Sequence, residues 1–149
     1  MMQVRNPKYK SLIAQLFKQA AFIAEVGVDL VDVGPGWCET ELIVKPKHFQ
    51  QNTFIHAGVQ ATIADHTAGG AASTLVGEDE FVLTVEFKIN FLRAAQGERL
   101  RCRAEVLKPG RMFTIVESEV FALAEDKSAM VAKALVTLAV LERTKRERK

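Results

Sequence analysis

Asn52-Thr53-Phe54-Ile55-His56-Ala57-Gly58-Val59-Gln60-Ala61-Thr62-Ile63-Ala64-Asp65-His66-Thr67-Ala68-Gly69-Gly70-Ala71-Ala72 is the stretch that decides the fold of this chain. It predicts one long helix from about Gly58 to Leu75, stopped by Val76-Gly77-Glu78-Asp79. The helix is built from small and apolar residues and carries one carboxylate about two turns in. An acid there lowers stability unless something nearby uses its charge. Asp65 is therefore the first candidate for chemistry. Gly58 lies seven residues earlier, about 10 Å along the axis and on nearly the same face. Between and beyond them run Ala61, Thr62, Ala68, Gly69 and Ala72, a bare stripe on which a backbone or ligand can lie. The Gly58 amide is expected to be an unsatisfied donor at the positive end of the helix, able to hold an oxyanion. Asp65 can activate water or attack a carbonyl itself. His66 points about 100° away and is not expected to share that task.

Outward from this helix the chain reads as α+β. Pro7 followed by Leu12, Ile13, Leu16, Phe17, Ala20 and Ile23 predicts an amphipathic helix over about 8–24. Alternation over 26–33 and strand character from Trp37 to Val44, joined by Gly34-Pro35-Gly36, predict a hairpin. Residues 47–55 form a polar loop. Three or four strands follow the long helix. One holds Val85, Phe87, Ile89 and Phe91, the next Leu100, Cys102, Ala104 and Val106. Others lie near 112–124 and 128–141. Lys108-Pro109-Gly110-Arg111 has the order of a type II turn. The last strand is apolar on both faces, so it belongs at the centre of the sheet or at an interface. The expected architecture is a curved antiparallel sheet wrapping the long helix, with one sheet face free for association.

Length and composition set limits. At 149 residues, 48% hydrophobic and 26% charged, the chain suits one domain with one core, and no linker divides it. Residues 142–149 hold five basic side chains against two acidic ones, more than the whole net charge of +2. The nearly neutral body gives no nucleic-acid groove, and the tail reads as a flexible, solvated end. Arg99, Arg101 and Arg103 share one sheet face, read as solvated rather than as a phosphate cradle. Cys38 and Cys102 have no reason to pair, and no apolar stretch suits a membrane span. A soluble, cytoplasmic protein without membrane or nucleic-acid partners is expected. The three histidines and two cysteines lack metal-ligand spacing. Taken singly, Asn52 is an ordinary loop residue or a partner of the carboxylate. His56 is a helix-entry residue or a donor to a carbonyl. Thr84 is ordinary at a strand start. Arg93, Lys108 and Arg111 are surface charges that can meet phosphates.

Taken together, Asn52…His56-Ala57-Gly58…Asp65 resembles the signature of hotdog-fold acyl-CoA thioesterases, in the branch typified by the phenylacetate-pathway thioesterase PaaI. Thr84-Val85-Glu86-Phe87, Asn90 to Ala95, Gly97-Glu98, Lys108 to Arg111 and the Ala132…Thr137 strand extend the likeness over most of the chain. The family usually has His-Gly-Gly where this chain has His56-Ala57-Gly58. The resemblance implies Asp65 as nucleophile or general base and the Gly58 amide as the group polarising the thioester carbonyl. It implies Asn52 as a positioner of water or acyl group, and Thr84 as a hydroxyl assisting from the other subunit. It further implies a homodimer with shared sites, often a homotetramer. Coenzyme A, part of the substrate rather than a cofactor, would set its phosphates on Arg93, Lys108 and Arg111. The acyl pocket is expected between the first helix and parts of 54–63 and 81–91, with Phe17, Phe22, Phe54 and Phe81 as candidate lining. Two rivals are weighed. A hotdog hydratase or dehydratase shares a His-Phe pair, here His48-Phe49, but needs an acid fourteen residues later, where this chain has Thr62. A non-catalytic acyl-CoA-binding protein of the same fold predicts that Asp65 is dispensable.

Overall fold

A computed structural model describes residues 2–147. Two short helices, α1 (Tyr9–Gln19) and α2 (Ala21–Val26), precede the hairpin β1 (Val28–Gly34) and β2 (Trp37–Ile43). A 3-10 turn (Pro46–His48) leads to the long helix α3 (Ala57–Ser73). The strands β3 (Glu80–Phe91), β4 (Arg99–Lys108), β5 (Phe113–Ala124) and β6 (Lys127–Glu142) complete the chain. They form one antiparallel sheet in the order β1-β2-β4-β5-β6-β3. This is the hotdog architecture, with β6 inside the sheet as its two apolar faces require. The single expected N-terminal helix is two helices. The backbone leaves the helical region at Ala20 (φ −74°, ψ 90°).

The helix lies close to the sheet because both surfaces are small where they meet. Ala104, Ser118 and Ala134 stand in register on neighbouring strands, all buried. Ser118 donates its hydroxyl to the Ala64 carbonyl (2.8 Å). Gly70 sits over β2, where a Cβ would come within 2.7 Å of Cys38 Sγ. The expected bare stripe is therefore divided. Ala64, Ala68, Ala71 and Ala72 are buried in the core, whereas Ala61, Thr62 and Gly69 face open space beside the helix.

The outer sheet face carries Arg99 and Arg101 paired with Glu41, and Arg103 paired with Glu39 and Glu105. The arginine row is thus a laced surface, not an anion cradle. Gly110 does not take the positive φ of a type II turn; its lack of a side chain admits the Phe113 carbonyl. The first residues of the expected tail make hydrogen bonds. Glu142 closes β6, the Arg143 amide donates to the Asp79 carbonyl (2.7 Å), and Glu147 accepts from Thr144. Arg148 and Lys149 lie outside the described residues. Cys38 and Cys102 are buried free thiols, and burial pushes both up to about 12. No helix among the described residues is long and apolar enough to cross a membrane.

Candidate active site

Asp65 stands half-buried at the middle of α3, on the side facing β3. Thr84 pairs with buried Leu138 of β6, so its side chain shares the inner face. Its hydroxyl donates to Asp65 Oδ1 at 2.7 Å. A bulge follows at once, between Thr84 and Glu86. This corrects one expectation: the hydroxyl that meets Asp65 comes from the same chain. The second carboxylate oxygen, Oδ2, has no hydrogen-bond partner among the described residues.

Two cavities flank this pair. The larger, about 540 Å³, runs toward the C-terminal end of α3 and is walled by Leu16, Phe17, Gly69, Ser73 and Leu138. The smaller lies toward the N-terminal end, against Phe22, Ala61, Thr62 and Phe87. Both are also lined by Ala20, Asp65 and His66. The carboxylate therefore stands where two compartments adjoin. Of the four expected phenylalanines, Phe17 and Phe22 line these spaces. Phe54 and Phe81 do not, and Phe81 instead lies beneath the Arg143 guanidinium.

His66 also lines both cavities. Its 100° offset from Asp65 does not remove it from the site, because the open space wraps a wide arc of the helix. Its ring meets Phe17 edge-on (centroids 4.5 Å apart, 70° between planes), and Nε2 is buried without a partner. Burial lowers its pKa from the ordinary 6.5, while the neighbouring Asp65 charge pulls the other way.

At the entry to α3 the Gly58 amide is not free as expected. It donates to His56 Nδ1 (2.8 Å), so the imidazole caps the helix. Among the described residues the Ala57 amide is the one in this first turn left without an acceptor. Asn52 is exposed and serves its own loop, with Oδ1 accepting from the Phe54 amide (3.1 Å) and from Gln50 Nε2 (2.9 Å). Within one chain it lines neither cavity beside Asp65. His48, half of the His-Phe pair, is buried and fully engaged. Its Nδ1 accepts from the Lys45 amide, so Nε2 carries the proton and donates to the Val26 carbonyl (2.6 Å). That leaves it no lone pair for acid–base work.

The three expected phosphate ligands are divided. Arg93 follows β3 beside Val131, whereas Arg111 precedes Met112, which pairs with Val140. Nine residues of β6 separate those levels, roughly 30 Å. Lys108 and Arg111 share one end of the sheet, so within one chain Arg93 cannot join them on one phosphate group. No cluster of three or more His, Cys, Asp or Glu suited to a metal is found among the described residues.

A family model described as the thioesterase superfamily matches residues 52–129, the span from the Asn52 loop through α3 and strands β3 to β5. This chain belongs to the thioesterase superfamily. A thioesterase family protein from Silicibacter pomeroyi is 36% identical, with a TM-score of 0.88 over 90% of this chain and 98% of that one. A thioesterase from Haemophilus influenzae shares the fold (TM-score 0.83, 95% of this chain and 96% of that one) at 19% identity. A 1,4-dihydroxy-2-naphthoyl-CoA hydrolase from Listeria monocytogenes is 25% identical over 80% of this chain and 95% of its own length. The thioesterase is thus a thioester hydrolase by family. Its Asp65–Thr84 pair lies inside the matched span.

Proposed function

We propose that this thioesterase hydrolyses an acyl- or aryl-acyl-coenzyme A to the free acid and coenzyme A, in the manner of the PaaI-like branch it resembles. The observation that carries this reading is the Asp65 carboxylate, held through Oδ1 by Thr84 where two cavities adjoin. The acyl group occupies the larger, mainly apolar cavity and the pantetheine arm the smaller. Oδ2 faces the carbonyl carbon. It takes a proton from an attacking water, or attacks to give a mixed anhydride that water then opens. In either route the C–S bond breaks and the thiolate of coenzyme A leaves with its electron pair. No metal or redox cofactor is needed for this chemistry.

An oxyanion donor must lie within about 3 Å of the carbonyl oxygen. Asp65 and the first turn of its own helix are about 10 Å apart along the axis, more than one carbonyl spans. A second copy supplies the amide: Ala57 as it stands, or Gly58 once His56 turns aside. The same second copy brings Asn52 toward the acyl group or water. Support for a homodimer comes from β3, a twelve-residue edge strand with Leu83, Val85, Phe87 and Phe91 exposed. Such an edge is covered in a stable protein. Phe113, Leu135 and Leu141, exposed on the sheet, support pairing of dimers into a homotetramer. Arg93, Lys108 and Arg111 remain candidates for the coenzyme A phosphates, with Arg93 acting from a different copy than the other two.

The test is release of free thiol over a panel of acyl-CoAs, with wild type and Asp65→Ala side by side. Crotonyl-CoA and 3-hydroxyacyl-CoA are followed in parallel for hydration and dehydration. Thiol release that depends on Asp65 is expected. Hydration without thiol release favours a hydratase, and binding without turnover favours a carrier.

A further inference from the structure

Gly69 and Gly70 are adjacent on α3 but answer different demands. Gly70 is held by packing, since a Cβ there would press on Cys38. A Cβ at Gly69 would meet nothing within 4 Å. Glycine inside a helix is about 0.5–1 kcal/mol less favourable than alanine. Neither backbone conformation nor packing requires it here, because Gly69 lacks a positive φ and its side-chain position is empty. That empty position is the wall of the larger cavity, one turn beyond Asp65, with Ser73 one turn further.

Building on the thioesterase reading above, we propose that Gly69 is a specificity-determining residue that keeps the acyl channel open beyond its first turn. The acyl group runs along α3 from Asp65 past Gly69 toward Ser73, about 12 Å. A cavity of about 540 Å³ lies in the range that encloses a drug-sized ligand. The substrate class this selects is a medium-chain or ring-bearing acyl-CoA, not acetyl-CoA. Phe17 and Leu138 supply the apolar walls.

The test compares acetyl-, hexanoyl-, decanoyl- and phenylacetyl-CoA as substrates of wild type, Gly69→Ala and Gly69→Leu. Circular-dichroism melting checks that each variant is folded. Binding of the unreactive thioether S-decyl-CoA is measured beside S-methyl-CoA by calorimetry. Wild type should prefer decanoyl- to acetyl-CoA in kcat/KM. In Gly69→Leu that preference should fall by about 10- to 200-fold, the range for a changed hydrophobic pocket contact, with Gly69→Ala between. The S-decyl over S-methyl binding preference should fall in the same order. A wild type that favours acetyl-CoA, or a Gly69→Leu protein that is folded and keeps the decanoyl preference, overturns the proposal. If S-decyl-CoA binds in a Gly69-dependent way but no thioester is cleaved, the acyl channel stands and the hydrolase reading fails. If neither binding nor cleavage occurs, both fail.

Discussion

Asp65 draws its meaning from one hydroxyl. Thr84 engages Oδ1 and leaves Oδ2 without a partner, so the carboxylate is oriented toward the cavities instead of spinning in them. The sequence made Asp65 and Thr84 legible as residue types. It did not show that they meet within one chain, because that depends on the β3–β6 register and the bulge after Thr84. The Gly58 amide shows a similar limit: seven residues set its distance from Asp65 along the helix, but the imidazole two residues earlier accepts its hydrogen bond. His66, 100° around the helix from Asp65, still lines both cavities, because an offset says which way a side chain starts and not how wide the neighbouring space is. It gives a pH prediction. Burial lowers its folded pKa below the ordinary 6.5. Above that value both states are neutral; as pH falls through it the unfolded chain takes the proton first. Stability should fall from pH 6.5 down to the lowered folded value and then level off. His66→Gln should remove that part of the decline in melting temperature. Parallel pH profiles for the two proteins would contradict it.

At the scale of elements, α3 is the most legible part of the chain. Its length, its small residues and the stop after Leu75 were all readable, and the ends fall within two residues of expectation. What could not be read is which small residue touches the sheet and which touches nothing, since alanine and glycine leave the same sparse pattern on both sides. Stability separates the two. Gly70→Ala pushes a methyl onto Cys38 and should cost about 1–3 kcal/mol, the usual range for overpacking. Gly69→Ala should be neutral or stabilising by about 0.5–1 kcal/mol. Denaturant midpoints measured on the two variants check this; equal effects would contradict the division of the helix into a packed and an open side. The apolar spacing of the N-terminal segment continues through Ala20 and so points to one helix. The break there turns Phe22 into the smaller cavity.

For the whole molecule, the fold was legible because each level agreed: alternating strands, one long bare helix and a two-faced apolar last strand. The candidate site was not, since the residues proposed for it lie apart in a single chain. Asn52 and His56 serve their own loop and cap, and Arg93 is roughly 30 Å along the sheet from Arg111. The proposed completion by a second copy across β3 gives a prediction. Sedimentation equilibrium should show a dimer or larger. Val85→Asp, a charge placed on the exposed edge, should shift it toward monomer and lower thiol release in step. A wild type that is monomeric and fully active would remove the shared site from the account. The central claim is narrower, that Asp65 performs the chemistry. Single-turnover thiol release from the best acyl-CoA, wild type against Asp65→Asn, tests it most directly. The account predicts a loss of about 10²–10⁴-fold in rate with substrate binding retained, the usual share of a positioned acid–base group. An Asp65→Asn protein that releases thiol within a few-fold of wild type would contradict it.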